Sequence, residues 1–363
     1  MVSNASCLTL PVHDHRIHRT VSQPRIFLLL VAVLTAPASH AAGEPTRLVQ
    51  SSRAERGLVL VQESRKAWVE TLQGGRTRLP LLQGEKVADF AETDHGWIVA
   101  GTRTAEEDQN LFVIRQDGSR RVRLPDPGGE PSPFRLAPVI LQRHQDLDGL
   151  AWLAGDNLRS LAVHFAGSGS DGWEEAQIIS PPGPGSQTGL TGATLSDGSR
   201  LLVWSAFDGE DDELLWSRWD GRSWTAPRRL AANNSTPDIT PHIIATQGGA
   251  MLTWSRFESG QYRLKLARYS AGVWRMLPAP GPIGSISPRF LEYNGTLHLI
   301  YRLPWPAAWT VADLDDRGGV RRQAVLRESA SERPALTSSG ARAVSLRFAG
   351  RNNEHFVDWT GSK

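Results

Sequence analysis

PHIIATQGGAMLTWSRFESGQYRLKLARYSAGVWRMLPAP, residues 241–280, reads as four strands joined by three short connections. PHIIATQ is a short apolar run, and Gly248-Gly249 turns it. AMLTWSRF then alternates apolar and polar residues with the period of two that a half-buried strand requires. ESGQ is a loop, YRLKLARYS alternates again, Ala271-Gly272 turns it, and VWRMLPAP closes the unit. Glycine at the tight connections supplies the positive φ that short hairpins need. The four strands are called A to D in chain order.

The phrase recurs roughly every fifty residues, a period that belongs to ring or solenoid architectures. Upstream, TGATLS, RLLVWSAF, LLWSRW and SWTAPRRL repeat it around turns at Asp197-Gly198 and Asp220-Gly221. Downstream, PRFLEY, TLHLIYRL, AWTVADL and VRRQAVL repeat it around Asn294-Gly295 and Asp315 to Gly319. Weaker copies lie at 47–83, 87–126 and 134–180, and residues 334–359 supply three strands without a fourth. Third strands fall near residues 67, 111, 160, 213, 262, 308 and 354. No helical periodicity appears after residue 42. The pattern predicts an all-β chain, a β-propeller of four-stranded antiparallel blades, seven in number with six as the alternative. TRLVQ (46–50) is either the inner strand of the first blade or an outer strand completing the last.

Residues 1–41 are read apart from this fold. RIFLLLVAVLTAPASHA (25–41) has a basic residue, a short apolar run, Pro37 and small residues before Ala42, the form of a secretory signal cut after Ala41. The run is shorter than the roughly 20 residues a membrane-spanning helix needs. The expected mature chain, 42–363, is a single propeller domain, periplasmic or secreted. Removing the leader takes Arg16, Arg19, Arg25 and Asp14, which leaves basic and acidic residues in equal number. A non-specific nucleic-acid or anionic-membrane partner is therefore not expected. Cys7, the single cysteine, leaves as well, so disulfide, thiol and thiolate-metal chemistry is excluded from the mature chain.

Loop length distinguishes the two faces. The A–B and C–D connections are short (DHG, DGS, QGG, NG), whereas the B–C and D–A loops are long and irregular (RTAEEDQ, DGEDDE, AANNSTPDIT). Binding residues concentrate on elaborated loops held by a rigid scaffold, which puts the expected site on the B–C/D–A face. That face carries Glu106, Glu107, Asp108, Asp208, Glu210, Asp211, Asp212 and Glu258, with Trp305 and Trp309 in PWPAAW. Asp208, Asp211, Asp212, Glu258 and Trp305 are the candidate ligand-binding residues: carboxylates for hydroxyl groups, the indole for stacking. Calcium is the cation such carboxylates would take, but DGEDDE lacks EF-hand spacing, and no metal or cofactor is assigned.

SRWDGRSW (217–224) resembles the Asp-box repeat of sialidase-like propellers, Ser-x-Asp-x-Gly-x-x-Trp. Ser217, Gly221 and Trp224 match; Trp219 stands in the aspartate's place, with Asp220 one position late. FRLAP (134–138) is similar to the family's Tyr/Phe-Arg-Ile-Pro signature, although it lies in the third unit rather than the first. The resemblance implies a carboxylate-binding role for Arg135, with Arg289 and Arg302 as partners, and Tyr301 as nucleophile. The sequence reading is an exported propeller binding a glycan or other cell-envelope ligand without catalysis. A diverged sialidase-like glycoside hydrolase and a protein-interaction scaffold are the alternatives.

Overall fold

The computed structural model describes residues 46–363 apart from 64–65, 106–107, 122–131, 144–145, 170–171, 232–233, 329, 331, 350–353 and 362–363. The leader, Glu106 and Glu107 thus lie outside the described residues. Among those described there is no helix, and none that is long and apolar enough to cross a membrane. Seven antiparallel sheets stand in a ring, a seven-bladed β-propeller. The inner A strands are Arg47–Gln50, Glu85–Thr93, Phe134–Arg143, Gln187–Thr194, Asp238–Thr246, Ile286–Tyr293 and Ala335–Ser339. Blade 5, quoted above, continues through Gly249–Glu258, Gln261–Ser270 and Val273–Leu277 in simple antiparallel order. Its turn needs Gly249, because a Cβ there would lie 1.8 Å from the Tyr269 carbonyl oxygen.

Each of six blade-to-blade interfaces has its own apolar core of nine or more buried residues. The second strands Asp146–Gly155, Arg200–Phe207 and Gly249–Glu258 each put one large ring into the interface with the preceding blade: Trp152, Trp204 and Trp254, all closed to solvent. On the outer strands, Trp173, Trp224 and Trp274 pack against the rims of the same three cores, as the sequence repeat predicts. The cation lying over Trp219 is Arg200, 5.8 Å from the ring, while Arg218 reaches Asp197 at 3.6 Å.

The inner strands share a feature that the turn pattern conceals. In blades 3 to 6 each carries one extra residue, a β-bulge, where Ala137, Gly189, Thr240 and Ser287 adopt φ of 50°, 56°, 54° and 53°. Pro138, Pro241 and Pro288 follow three of them, where a missing N–H breaks no ladder bond. Strain of this kind often marks a functional residue; repeated at one place in four blades, it is architecture. The residue after the bulged segment reaches another inner strand, as does Asp89 at the register shift of blade 2. Asp89 accepts the Ile140 amide at 2.8 Å, Thr191 the Ile243 amide at 3.2 Å, and His242 Nδ1 the Phe290 amide at 3.2 Å. Arg289 donates to the Gln50 carbonyl at 2.9 Å. Inner strands are thereby stitched side chain to main chain. Val139, the equivalent in blade 3, has no polar atom to offer.

The structure decides between the two placements of TRLVQ. TRLVQ does not complete the last blade: Arg47–Gln50 pairs with Val59–Glu63 as the inner strand of blade 1. Blade 7 keeps three strands among the described residues, and Thr360–Gly361 adds to the outer strand of blade 6 instead. The A–B connection of blade 1 is also not tight. Residues 51–58 cross the axis as a strap. Arg53-Ala54 pairs in parallel with Glu292-Tyr293 of blade 6. Ser52 Oγ accepts from His242 Nε2 at 3.3 Å, Arg53 donates to the Ala245 carbonyl, and the Arg56 and Leu58 amides donate to Glu92 at 2.7 and 2.8 Å. Since Nδ1 of His242 accepts from an amide, its proton sits on Nε2.

Two buried histidines give a pH expectation. Burial, then the charge of Arg135, pushes His164 down to about 4. Burial pushes His298 down to about 4 as well, with Asp313 opposing and Arg322 adding to it. Both folded-state values lie below the ordinary imidazole range, so the unfolded chain takes up protons first on acidification. Their contribution to stability is complete above about pH 6.5 and is lost as pH falls toward 4. Imidazole NMR resonances of His164 and His298 are therefore expected to stay in the neutral position through pH 6, and titration near 6.5 would contradict this burial.

Candidate functional site

The loop-rich face brings the candidate ligand residues into two places. The larger lies where blades 4 and 5 meet. The B–C hairpin of blade 4 joins Arg200–Phe207 to Asp212–Trp219 and supplies Asp208, Asp211, Asp212 and Glu213; blade 5 supplies Asp238, Arg256 and Glu258. Asp238 is buried, takes a bidentate pair from Arg256 at 2.7 and 2.6 Å, and accepts the Trp254 indole N–H at 2.7 Å. Glu213, also buried, accepts the Asn234 amide and side-chain N–H groups at 2.9 and 3.1 Å. Asp208 caps its own loop by accepting the Glu210 and Asp211 amides, and Arg229 reaches it at 3.0 Å. Glu258 is paired with Lys265 at 2.9 Å and Arg263 at 3.3 Å.

The crowding of carboxylates shows in their acidities. Burial, then the charges of Glu213 and Asp208, pushes Asp211 up to about 6. Burial, then Asp208, pushes Asp212 up to about 6. Asp212 faces Tyr262, whose hydroxyl is raised by burial and by that carboxylate. The second place is the B–C hairpin of blade 6, between Thr296–Pro304 and Ala307–Leu314, where Trp305 is 89% exposed. Trp309 turns inward, buried, and donates to the Ala330 carbonyl at 3.0 Å.

The four candidate catalytic residues lie in different settings. Tyr301 is 1% exposed in the core between blades 5 and 6. Its place in the register, one residue after the partner of the post-bulge residue, is the place of Trp152, Trp204 and Trp254 in their blades. It is blade 6's copy of the interface aromatic. Arg135 precedes the bulge of blade 3, at the position that Gln187, Asp238 and Ser285 hold in blades 4 to 6, all buried. FRLAP is accordingly the blade-3 form of the bulge phrase ITP (239–241) and ISP (286–288). Arg302 sits on the second strand of blade 6, opposite Ile286 and Trp309. Arg289 lines a cavity between blades 6, 7 and 1 with Arg333, Gln50 and Leu48, and the second arginine there is one the sequence reading did not single out. Burial, then Arg289 and Arg47, lowers Arg333 to about 9. Glu213 and Asp238 were not singled out either: the sequence reading left them inside the loops DGEDDE and AANNSTPDIT, whereas both lie on strands, Asp212–Trp219 and Asp238–Thr246.

By sequence, no family model and no curated protein matches the chain. By structure, it is similar to a prolyl endopeptidase at 12% identity and TM-score 0.51, covering 83% of this chain and 45% of that one. It is similar to a puromycin-hydrolyzing peptidase of Mycobacterium tuberculosis at 14% identity and TM-score 0.50, covering 84% and 50%. It is also similar to the six-bladed β-propeller lectin of Aleuria aurantia at 11% identity and TM-score 0.45, covering 77% and 96%. The chain spans about half the length of the two peptidases. At these identities the likeness shows the β-propeller fold and nothing finer.

Proposed function

We propose that the chain is an exported β-propeller that binds a glycan or another cell-envelope ligand on its loop-rich face, without chemistry of its own. Trp305 carries the proposal. A tryptophan 89% exposed leaves a large apolar face in water at the tip of a hairpin, and Pro304 and Pro306 on either side restrict its backbone. A flat indole at a rim is a platform for the apolar face of a sugar ring, and aromatic anchors dominate binding energy at such surfaces. Asp212 and Glu258, both partly exposed, supply acceptors for hydroxyl groups on the same face. Export rests on the leader at 25–41.

The glycosidase alternative has less in its favour. Its nucleophile candidate, Tyr301, is buried in the apolar core between blades 5 and 6, and of its arginines Arg289 alone lines the cavity between blades 6, 7 and 1. The test is a glycan array with the mature chain, followed by Trp305→Ala. At least a tenfold loss of affinity is expected, with stability changed by no more than about 0.5 kcal/mol, as for an exposed side chain. Undiminished binding by the variant, or no glycan bound by the folded protein, would refute the proposal. A fluorogenic sialoside assayed in parallel is expected to remain intact.

A further inference from the structure

The carboxylates between blades 4 and 5 pose a physical problem that hydrogen bonding within the protein does not solve. Asp208 and Glu213 are held by amide donors and by Arg229, which lies 3.0 Å from the first and 3.5 Å from the second. Asp211 is different. It is 6% exposed, and both of its carboxylate oxygens are closed to solvent and accept no hydrogen bond. A carboxylate taken from water without a partner is among the most costly groups to bury. A proton would cancel the charge but would still leave the other buried oxygen without a partner. The nearby cations are committed elsewhere: Arg256 to Asp238, Lys265 and Arg263 to Glu258.

The geometry supplies an answer. One carboxylate oxygen from each of Asp208, Asp211 and Glu213 lies within 4.8 Å of the other two. Oxygens around a calcium ion sit about 2.3–2.6 Å from it, so neighbours on its sphere are separated by up to about 5 Å. We infer that Asp208, Asp211 and Glu213 form a site for one hard divalent cation of the calcium class. An all-oxygen donor set without histidine or cysteine excludes the preferences of zinc and copper. Calcium tolerates irregular geometry, where magnesium demands a near-ideal octahedron. The donors are pre-positioned: Asp208 by the two amides of its own loop, Glu213 by Asn234, and Asp211 by its carbonyl, which accepts the Asp208 amide at 3.0 Å just before the strand Asp212–Trp219. The ion would fix the B–C hairpin of blade 4, whose Glu213 holds Asn234 of the D–A loop before blade 5, at the rim that also carries the proposed ligand surface.

The test uses the mature chain stripped with chelator and titrated with calcium in a calorimeter, and with terbium read by sensitised luminescence. One site is expected, with Kd on the order of 0.1–1 mM, the range of extracellular calcium modules. Saturating calcium is expected to raise the thermal midpoint by about 2–4 °C. Asp211→Asn keeps the shape of the side chain and is expected to lose at least tenfold in affinity, together with the thermal shift. Glu213→Gln is expected to do the same, and Asp220→Asn, at a C–D turn on the opposite face, to bind like the parent. Absence of saturable binding in the folded parent would overturn the site, and so would parental affinity in Asp211→Asn. Neither outcome bears on Trp305, so the cation site and the ligand surface stand or fall separately.

Discussion

Trp254→Ala is expected to destabilise the fold by about 4 kcal/mol, the scale of deleting a fully buried tryptophan. The ring is closed to solvent and sits in the largest interface core, between blades 4 and 5. Two losses combine. The cavity lies between two rigid sheets that cannot collapse into it. The Asp238 carboxylate also loses the indole N–H at 2.7 Å, although Arg256 still holds it. Trp254→Phe separates the two effects, because it keeps most of the volume and loses only the hydrogen bond, for about 1–2 kcal/mol. Trp224→Ala, on a partly exposed outer strand, is expected to cost less than Trp254→Ala. Urea unfolding of the three variants measures the order. Equal losses for Trp254→Ala and Trp224→Ala would mean that the second-strand ring is not the keystone described above.

Gln50→Ala is expected to cost about 3 kcal/mol, because the ring closes on polar contacts. Six interfaces have large apolar cores, but among the described residues the core of the seventh, between blades 7 and 1, is Val59, Val61 and Ala335, with Leu48 and Trp68 packed against it. Among the described residues no strand pairs across it. Instead the Gln50 side chain acts as a short piece of strand: its Nε2 donates to the Leu336 carbonyl at 2.8 Å, and its Oε1 accepts the Leu336 amide at 2.9 Å. Removing the amide leaves two buried main-chain groups unpaired, at about 1–3 kcal/mol each. Farther out, Arg347 of blade 7 pairs with Glu70 of blade 1. Burial would raise the Glu70 carboxyl, but hydrogen bonds from Arg347 and Trp68 and the charges of Arg347 and Arg76 hold it below its ordinary value. This clasp is therefore present at neutral pH and is lost as pH falls below about 4.5. Limited proteolysis of Gln50→Ala is expected to cut first in blade 7. A variant as stable as the parent would show that another contact closes the ring.

Blades were legible in the sequence because each obeys local rules: alternation along strands and Gly at turns. All seven third strands lie where the repeat puts them, and the outer tryptophans pack between blades. What escaped depends on the ring rather than on the strand. The Leu/Ile-x-Pro phrase at 136–138, 239–241 and 286–288 reads locally as a break, since proline interrupts a ladder; only with the other blades in place is it a bulge that turns His242 or Arg289 onto another inner strand. The strap at 51–58 looks like a loop because its partners come from blades 2, 5 and 6. At the candidate site, periodicity marked Asp208, Asp211 and Asp212 as an acidic loop. It could not mark Glu213 as facing them, or Asp211 as closed to solvent, since burial at a blade junction is set by two blades together.

The strap has a kinetic consequence. Ser52 and Arg53 find His242 and Ala245 at sequence separations of 190 and 192 residues, and Gln50 finds Leu336 at 286. Non-local pairing of this kind slows folding, because the entropy of closing a long loop is lost before the contact rewards it. Chains are made from the N-terminus, so the residues that emerge first meet their partners last. Blade 1 must wait, its inner strand edge unpaired on the side of blade 7, until nearly the whole chain is present. A chain stopped before residue 336 would be an arc of blades with two raw ends, and completion of the last blade is the event that turns an open, aggregation-prone intermediate into a ring.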